Sequence, residues 1–458
     1  MAYDYLILDA DSGTPLYQQL YLTMKAAIEA GHLVKGERLP SIRKLAEDLK
    51  LSCTTVENAY QQLCVEGYIQ PRPQRGYFVL TVAHDDGRQK PRRIGTPLPS
   101  APPIRYNFGS DCVDSDNIDI KAWRRHIRDV LNRQEVIAGY GEHQGERALR
   151  EALSAYSYSV RGVVASPEQI VIGAGTQPLL TILCGLLNRD DTRVAMEEPG
   201  FLQAEQIFSD CGLSVLQLPA DENGIRMDAL EKSGAKLLFV SPSNRVRTGT
   251  SLPMGRRSEL LNWARETDAI IIEDDYNGEL RYNARPIPAM QSMAGGESIV
   301  YIGSFSKLLL PSVRIGYMVL PENLLERYRE RASRYNQTAS KIEQLALSGY
   351  VKSGQLERHL RRLRKLYAAK STALIKALKS AFGDSVDILL EETFLYLILD
   401  VKTGLVSQEL CALAAEKGVR TMPPQEGTSR IRLGFAGVPL GEIGAAVDCL
   451  KSAWSVGN

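Results

Sequence analysis

One short segment of this chain places a lysine among residues that could make it react. In YIGSFSKLLLPSVRIGY, residues 301–317, Lys307 lies between two serines and an apolar run. A lysine forms a Schiff base with an aldehyde only when its amine is partly neutral, which a desolvated, electropositive setting favours. Ser304, Ser306 and Arg314 supply hydrogen-bond donors for a phosphate. The combination predicts pyridoxal 5'-phosphate (PLP) on Lys307, held as an internal aldimine.

Two further segments offer groups for the phosphate and for the pyridine nitrogen of this cofactor. The segment IVIGAGTQPLL predicts a strand, a small-residue turn and a helix start. Its amides could bind the phosphate, and the candidates there are Gly175, Thr176 and Gln177. The segment IIIEDDYN supplies Asp274, with Asp275 as the alternative, to keep the pyridine nitrogen protonated.

Two aromatic residues complete the predicted ring environment. Tyr276 follows the acidic pair and could donate a hydrogen bond to the phenolic oxygen of PLP. Phe201, in EEPGF, offers a flat side chain to stack on the ring. Each motif is weak alone, and its significance depends on the elements that would bring the motifs together.

The candidate residues fall where buried strands are predicted to end. QIVIGAG, KLLFVSPSN, AIIIEDDY and SIVYIGSFSK are short apolar runs that end in polar or glycine residues, and segments with helical spacing such as RRSELLNWARETD lie between them. Apolar strands alternating with helices indicate an α/β fold with a mostly parallel sheet covered on both faces. Ligands of such sheets bind at the carboxyl ends of the strands.

The N-terminal part has a different organisation. TPLYQQLYLTMKAAIEAG predicts an amphipathic helix, and Ser41 and Ser52 are predicted N-caps of two further helices. The short connection between those two helices is typical of a helix-turn-helix. YIQPRPQRGYFV then predicts two strands around a basic turn, which would form a wing.

LPSIRKLAEDL, TTVENAYQQL and EGYI…GYFV resemble the GntR family of winged-helix repressors. The resemblance implies double-stranded DNA as a partner, with side chains on the phosphates and wing arginines directed toward a groove. The candidate DNA-binding residues are Ser41, Arg43, Lys44, Ser52, Thr54, Thr55, Tyr60, Arg72 and Arg75. The alternative is a winged helix that serves as a dimer or protein contact.

Charge and composition divide the chain further. Residues 1–80 carry eight basic and nine acidic side chains, so DNA affinity would depend on a local patch. The following residues, 81–105, are rich in proline and basic side chains (Arg88, Lys90, Arg92, Arg93) and predict a linker. We expect a DNA-binding domain over 1–80 and an effector domain over 106–458, with 106–320 mainly in a large subdomain and 330–458 mainly in a small one.

The effector domain resembles the fold-type-I aminotransferases. YGEHQGERALREAL, GAGTQ, EEPGF, SPSN, EDDY and SFSK…RIGY occur in that superfamily's order. The resemblance implies a PLP-dependent domain with a smaller C-terminal α/β subdomain, and a homodimer in which Tyr140 reaches the partner's phosphate. It also implies that Arg432, with Arg430 as the nearest rival, binds the carboxylate of a substrate. A GntR-type head on such a body is the layout of the MocR/GabR regulators.

Three positions depart from the relatives. Asn244 stands where MocR-type proteins often have a histidine, and it remains a candidate cofactor residue. Val246 replaces the asparagine that bonds the phenolic oxygen in the enzymes, which disfavours efficient transamination. Gln203 replaces an arginine of the GABA-responsive relatives, which makes GABA a poor guess for the effector.

The totals exclude several classes of protein. The 458 residues carry a formal net charge of +1 and no apolar run of membrane-spanning length. The acidic N-terminus does not have the pattern of a signal peptide. Seven scattered cysteines without a C-x-x-C pair indicate a reducing compartment, by default the cytoplasm, and neither a disulfide framework nor a metal site.

Three functions remain open at this stage. The first, which we favour, is a PLP-dependent transcriptional regulator that senses an amino acid or related amine through an aldimine at Lys307. The second is a working aminotransferase whose head is regulatory. The third is a regulator that senses PLP itself.

Overall fold

The structure is a computed structural model. It describes residues 8–9, 12–80, 103–109, 112–114, 116–187, 192–245, 250–282, 287–390, 395–423 and 427–454. The chain divides into two compact units, Met1–Ser100 and Ala101–Asn458. The basic residues of the predicted linker lie outside the described residues, as does Val246.

The first unit is a winged helix-turn-helix. Its elements are α1 (Leu16–Glu29), α2 (Ile42–Leu49), α3 (Cys53–Val65), β1 (Ile69–Arg72) and β2 (Gly76–Val79). Both predicted caps form, because the Ser41 hydroxyl accepts the amide of Lys44 and the Ser52 hydroxyl accepts the amide of Thr55. The two strands pair antiparallel and place the wing turn between them.

Tyr60 belongs to the core of this unit. The fully buried positions of α3 follow helical spacing and are Val56, Ala59, Tyr60 and Leu63. The Tyr60 hydroxyl donates to the Pro40 carbonyl at 3.0 Å, and its ring lies edge-on to Tyr77. The prediction that Tyr60 contacts a DNA phosphate is wrong, because the period that buries its neighbours also buries Tyr60.

The second unit is built on a seven-stranded sheet with the order β4-β12-β11-β10-β9-β5-β6. The strands of this unit are β3 (Tyr106–Asn107), β4 (Ile170–Gly173), β5 (Arg193–Glu197), β6 (Ser214–Leu218), β7 (Ala220–Asp221), β8 (Gly224–Ile225), β9 (Leu237–Val240), β10 (Ile270–Asp275), β11 (Ile299–Ser304), β12 (Gly316–Val319), β13 (Val386–Leu390), β14 (Tyr396–Val401), β15 (Val419–Arg420) and β16 (Arg430–Gly434). In the large sheet β12 runs antiparallel to both neighbours and the other pairs are parallel. The predicted mostly parallel sheet is confirmed.

Helices cover both faces of the large sheet. The helices of this unit are α4 (Ile120–Leu131), α5 (Gln134–Ile137), α6 (Arg147–Arg161), α7 (Thr176–Leu186), α8 (Leu202–Asp210), α9 (Met227–Ser233), α10 (Met254–Thr267), α11 (Met290–Met293), α12 (Glu322–Arg331), α13 (Lys341–Lys352), α14 (Gln355–Phe382), α15 (Ser407–Glu416) and α16 (Ile443–Trp454). Ile272 of β10 packs into one core with α7 and α8, whereas its neighbour Ile271 packs with α10 on the other face. Among the described residues, no helix is long and apolar enough to span a membrane.

A smaller subdomain follows the large sheet. The 28-residue helix α14, about 42 Å long at 1.5 Å per residue, leads into the antiparallel sheet β13-β14-β16. Helices α15 and α16 pack on this sheet through Leu410 and Leu450. Short strand β3 pairs in parallel with β15, so the first described residues of the second unit are attached to this subdomain.

Candidate cofactor and DNA-binding sites

One cavity gathers the residues that the sequence separates by more than two hundred positions. It has a volume of about 670 Å³ and opens at the carboxyl ends of β10 and β11. The predicted cofactor residues that line it are Gly175, Thr176, Gln177, Phe201, Asn244, Asp274, Tyr276, Ser304, Ser306, Lys307 and Arg314. Gln203 and Arg432 also line it, whereas Tyr140, Asp275 and Arg430 do not.

Strand geometry separates the two aspartates. Successive side chains of β10 point to opposite faces of the strand, so Asp274 faces the cavity while Asp275 turns away. Asp275 accepts from the buried Arg161 guanidinium at 2.6 Å and from the Tyr301 hydroxyl at 2.9 Å. This arrangement favours Asp274 over its alternative as the partner of a pyridine nitrogen.

Asp274 is electrostatically prepared for a cation. Burial, followed by the negative charge of Asp275, raises the pKa of Asp274 from 3.8 to about 7, although the Ser241 hydroxyl at 3.5 Å acts in the opposite direction. A positively charged ring nitrogen beside Asp274 would restore its ionised form. The carboxyl therefore fits a pyridinium better than a neutral ligand atom.

The phosphate end is shaped by backbone conformation. Gly175 has a φ of 94° directly before α7, and a Cβ there would lie 3.0 Å from the Arg314 guanidinium. Arg314 itself adopts a φ of 49° and donates to the Ala174 carbonyl at 3.3 Å. The eleven-residue helix α7 thus directs its N-terminus at a cavity wall that also carries Ser304, an arrangement suited to a phosphate.

Lys307 is half-buried at the base of the same cavity. The turn that carries it is fixed by hydrogen bonds from Phe305 to the Ile315 carbonyl and from Leu309 to the Phe305 carbonyl, both 3.0 Å long. Leu308 and Leu309 anchor this turn in the core. The Lys307 amine donates to the Cys112 carbonyl at 3.4 Å, a contact that sequence analysis did not foresee.

Two polar residues lie on the ring side of the cavity. The Tyr276 hydroxyl donates to the backbone carbonyl of Asn244 at 3.2 Å, and burial raises the pKa of Tyr276. The Asn244 amide oxygen accepts from the Tyr396 hydroxyl at 3.3 Å. Phe201 lines the cavity with its ring stacked near Phe239 at 6.3 Å. Phe201 therefore remains available to a bound ring, whereas the Tyr276 hydroxyl would have to leave the Asn244 carbonyl to donate to one.

The arginine alternatives are also separated by position. Arg432 lines the cavity, with its guanidinium 4.8 Å from the centre of the Tyr396 ring. Arg430 is exposed at the start of the same strand and lies outside the cavity. Geometry favours Arg432 as the carboxylate ligand.

Sequence analysis missed three residues beside Arg432. Leu395, Tyr396 and Met422 line this end of the cavity. Tyr396 sits in the apolar run FLYLIL, which predicts an ordinary buried strand, and Met422 reaches the site through a bridge between its own backbone and that of Arg432. Strand pairing brings these residues together, and no local motif indicated it.

Apart from the buried Tyr60, the candidate DNA-binding residues lie on the surface of the first unit, and we call this surface the DNA-binding face. Arg43, Lys44, Thr54, Arg72 and Arg75 are exposed, and Thr55 is partly buried. The Lys44 amine is paired with Asp48 at 2.9 Å, whereas Arg72 lies over the ring of Phe78. Ser41 and Ser52 place the amides of two helix starts on this face.

Comparison with known proteins identifies a family for each of the two units. Residues 105–450 match the family "Aminotransferase class I and II", and residues 16–79 match "Bacterial regulatory proteins, gntR family". The chain is 37% identical to the HTH-type transcriptional regulator YdeL of Bacillus subtilis, over 96% of this chain and 97% of that protein. It is 31% identical to the Rhizobium meliloti protein named "Probable rhizopine catabolism regulatory protein MocR", over 98% of this chain and 96% of that protein.

A solved structure supports the fold of the second unit. LysN, the alpha-aminoadipate aminotransferase of Thermus thermophilus, complexed with N-(5'-phosphopyridoxyl)-L-leucine, superposes with a TM-score of 0.67 and 25% identity. The similarity covers 77% of this chain and 92% of that one. The second unit thus has the fold-type-I aminotransferase architecture that the sequence predicts.

Proposed function

This chain belongs to the MocR-type family of transcriptional regulators, which join a GntR-type head to an aminotransferase class I/II domain, and we propose that it controls transcription in response to an amino-group ligand bound through PLP at Lys307. The observation that carries the proposal is the convergence of Lys307, Asp274, the Gly175 turn and Arg432 on one cavity. Lys307 would bond to the aldehyde of the cofactor, Asp274 would pair with its ring nitrogen and the Gly175 turn would bind its phosphate. Arg432 would bind the carboxylate of the ligand.

The residues that line the cavity offer a group for each part of PLP. The start of α7, Ser304 and Arg314 would hold the phosphate, Asp274 would pair with the ring nitrogen, and Phe201 would cover the ring. When bound, PLP supplies an aldehyde that bonds to a lysine amine and can exchange that amine for the amino group of a ligand. Lys307, which is half-buried and lines the cavity, would supply that amine.

The ligand end fits an amino acid. The Arg432 guanidinium would bind a carboxylate bidentately, and Tyr396 would keep it oriented by stacking. An amino group in the same ligand would then lie toward Lys307. Gln203 lines the cavity as a neutral group, so this position adds no cation for a second carboxylate.

The head would bind double-stranded DNA through its exposed basic residues, with Arg43 and Arg75 on phosphates or in a groove. We further propose a homodimer, because a pair of heads would match two half-sites. Tyr140 is fully exposed and outside its own subunit's cavity. It would therefore be available to complete the partner's site.

The test is an operator-binding assay with four additions: none, PLP, individual amino acids, and PLP with individual amino acids. We expect operator affinity to change with at least one amino acid only when PLP is also present. A response to PLP alone would instead support a PLP sensor. Repeated conversion of an amino acid and a keto acid by the purified protein would support an aminotransferase.

A further inference from the structure

The first described residues of the second unit form a segment that touches both the small subdomain and Lys307. We call residues 103–109, 112–114 and 116–119 the connecting segment. Phe108 donates its amide to the Arg420 carbonyl at 2.9 Å, and its own carbonyl accepts from Gly434 at 2.7 Å. In sequence, the connecting segment begins with the last three residues of the predicted linker to the head.

A buried ion pair fixes the centre of this segment. The Asp114 carboxylate lies 2.5 Å from the Lys370 amine of α14, and their side chains are 4% and 1% exposed. Lys370 also donates to the Ala436 carbonyl at 2.9 Å. Asp114 accepts from the backbone and side-chain amides of Asn117 at 3.0 and 2.8 Å.

The Asp114 carboxylate keeps its charge in the folded protein. Burial disfavours the charged carboxyl, but the hydrogen bonds from Lys370 and Asn117 outweigh it and lower the pKa of Asp114. Removing one partner alone would leave a buried charge without compensation. The pair therefore fixes the segment at one position on α14.

That position places the Cys112 carbonyl on Lys307. Cys112 lies two residues before Asp114, and its carbonyl accepts from the Lys307 amine at 3.4 Å. Close packing at Gly437 supports the same position, since a Cβ there would come within 2.8 Å of the Cys112 Cβ and 2.9 Å of the Asn107 carbonyl. The position of this carbonyl is thus set by the Asp114–Lys370 ion pair, by the packing of Cys112 against Gly437 and by the hydrogen bond from Lys307.

We propose that Asp114 and Lys370 are positioning residues that hold the Cys112 carbonyl as the acceptor for the Lys307 amine whenever that amine is not bonded to the cofactor. When the amine condenses with an aldehyde, two of its hydrogens leave with the aldehyde oxygen as water and the nitrogen changes direction, so it makes this contact poorly or not at all. The connecting segment therefore differs between the two states of Lys307, which is the differential contact that coupling requires. This inference rests on the proposed function, because it needs PLP to bond to Lys307.

The test compares two probes that fill the cavity differently. PLP can bond to Lys307, whereas pyridoxamine 5'-phosphate has no aldehyde and leaves the lysine amine unbonded. We expect hydrogen exchange in peptides that contain Phe108 and Asn117 to be roughly two- to tenfold faster with PLP than with pyridoxamine 5'-phosphate, the factor for one lost hydrogen bond. Equal exchange with both probes, with the PLP absorbance intact, would overturn this inference alone. Absence of a Lys307-dependent absorbance would overturn the proposed function as well.

A double variant tests the positioning role. The double variant Asp114→Asn with Lys370→Met removes both buried groups together. The control is Asp387→Asn with Lys402→Met, which makes the same changes at an exposed ion pair whose charged atoms lie 2.9 Å apart. We expect the first variant to bind PLP but to lose the exchange difference between the probes, and the control to retain it. A difference of wild-type size in the first variant would refute the role of the pair.

A second variant covers the case in which the double variant does not fold. Gly437→Ala pushes on Cys112 without removing a charge, and Gly441→Ala is its control because a Cβ there meets nothing within 4 Å. We expect Gly437→Ala to abolish the exchange difference and Gly441→Ala to keep it. Retention of the difference in both variants would contradict the proposed position of the Cys112 carbonyl.

Discussion

At the scale of single residues, Asp274 and Asp275 are neighbours in sequence with different surroundings. Asp275 is compensated by Arg161 in the core, while Asp274 faces the cavity with a pKa of about 7. The sequence offered both as candidates. Only the direction of each side chain on β10 distinguishes them, and direction depends on which face of the strand is covered.

Asp274 gives the cofactor-free protein a predictable pH dependence. Because folding raises its pKa from 3.8 to about 7, its stabilising contribution is complete below 3.8 and is lost as the pH rises through 7. At pH 8 we expect cofactor-free Asp274→Asn to melt at a higher temperature than the wild type. The corresponding gap in the free energy of unfolding is at most about 4 kcal/mol. The gap should narrow toward pH 5. A constant gap across this range would contradict the raised pKa.

The two arginines of β16 provide a matched pair for ligand binding. We expect Arg432→Gln to weaken binding of the responsive amino acid roughly tenfold to several hundredfold, the loss of charged hydrogen bonds worth about 1.5–3 kcal/mol each. Arg430→Gln should change it little, because that side chain lies outside the cavity. Titration of the visible spectrum measures both. Equal losses in the two variants would count against Arg432 as the carboxylate ligand.

At the scale of elements, the start of α7 depends on a conformation that glycine adopts readily. We expect Gly175→Ala to weaken PLP binding about tenfold or more, since backbone strain at such a φ costs about 1–3 kcal/mol and the added Cβ presses on Arg314. Gly255→Ala, where a Cβ meets nothing within 4 Å, is the control. Unchanged PLP affinity in Gly175→Ala would remove this helix start from the phosphate site.

Elements also set the limit of prediction from sequence. Short apolar strands with polar ends identified the sheet and the cavity edge, because that pattern is local. The antiparallel course of β12, the hydrogen bond of the Tyr60 hydroxyl to the Pro40 carbonyl and the contribution of Tyr396 and Met422 were missed. The strand direction and the two cavity residues depend on pairing between distant segments. The Tyr60 contact depends on a hydroxyl that lies on the otherwise apolar, buried face of α3. The contact of Cys112 with Lys307 joins positions 195 residues apart and has no sequence signal.

At the scale of the whole molecule, the head supplies a modest charge for binding DNA. Arg43 is exposed, whereas the Lys44 amine is paired with Asp48 and Glu47. We expect Arg43→Ala to weaken binding to all DNA sequences and to reduce the slope of log affinity against log salt by about 1. Lys44→Ala should have a smaller effect. Unaltered affinity of Arg43→Ala at low salt would contradict the assigned DNA-binding face.

The central claim concerns one covalent bond in the second unit, and its location can be measured directly. Purified protein is incubated with PLP, reduced with borohydride and digested, and the phosphopyridoxyl group is located by mass spectrometry. We expect the label on Lys307 and its absence in Lys307→Ala, with the head still folded. A label on another lysine, or none after incubation with excess PLP, would contradict the account.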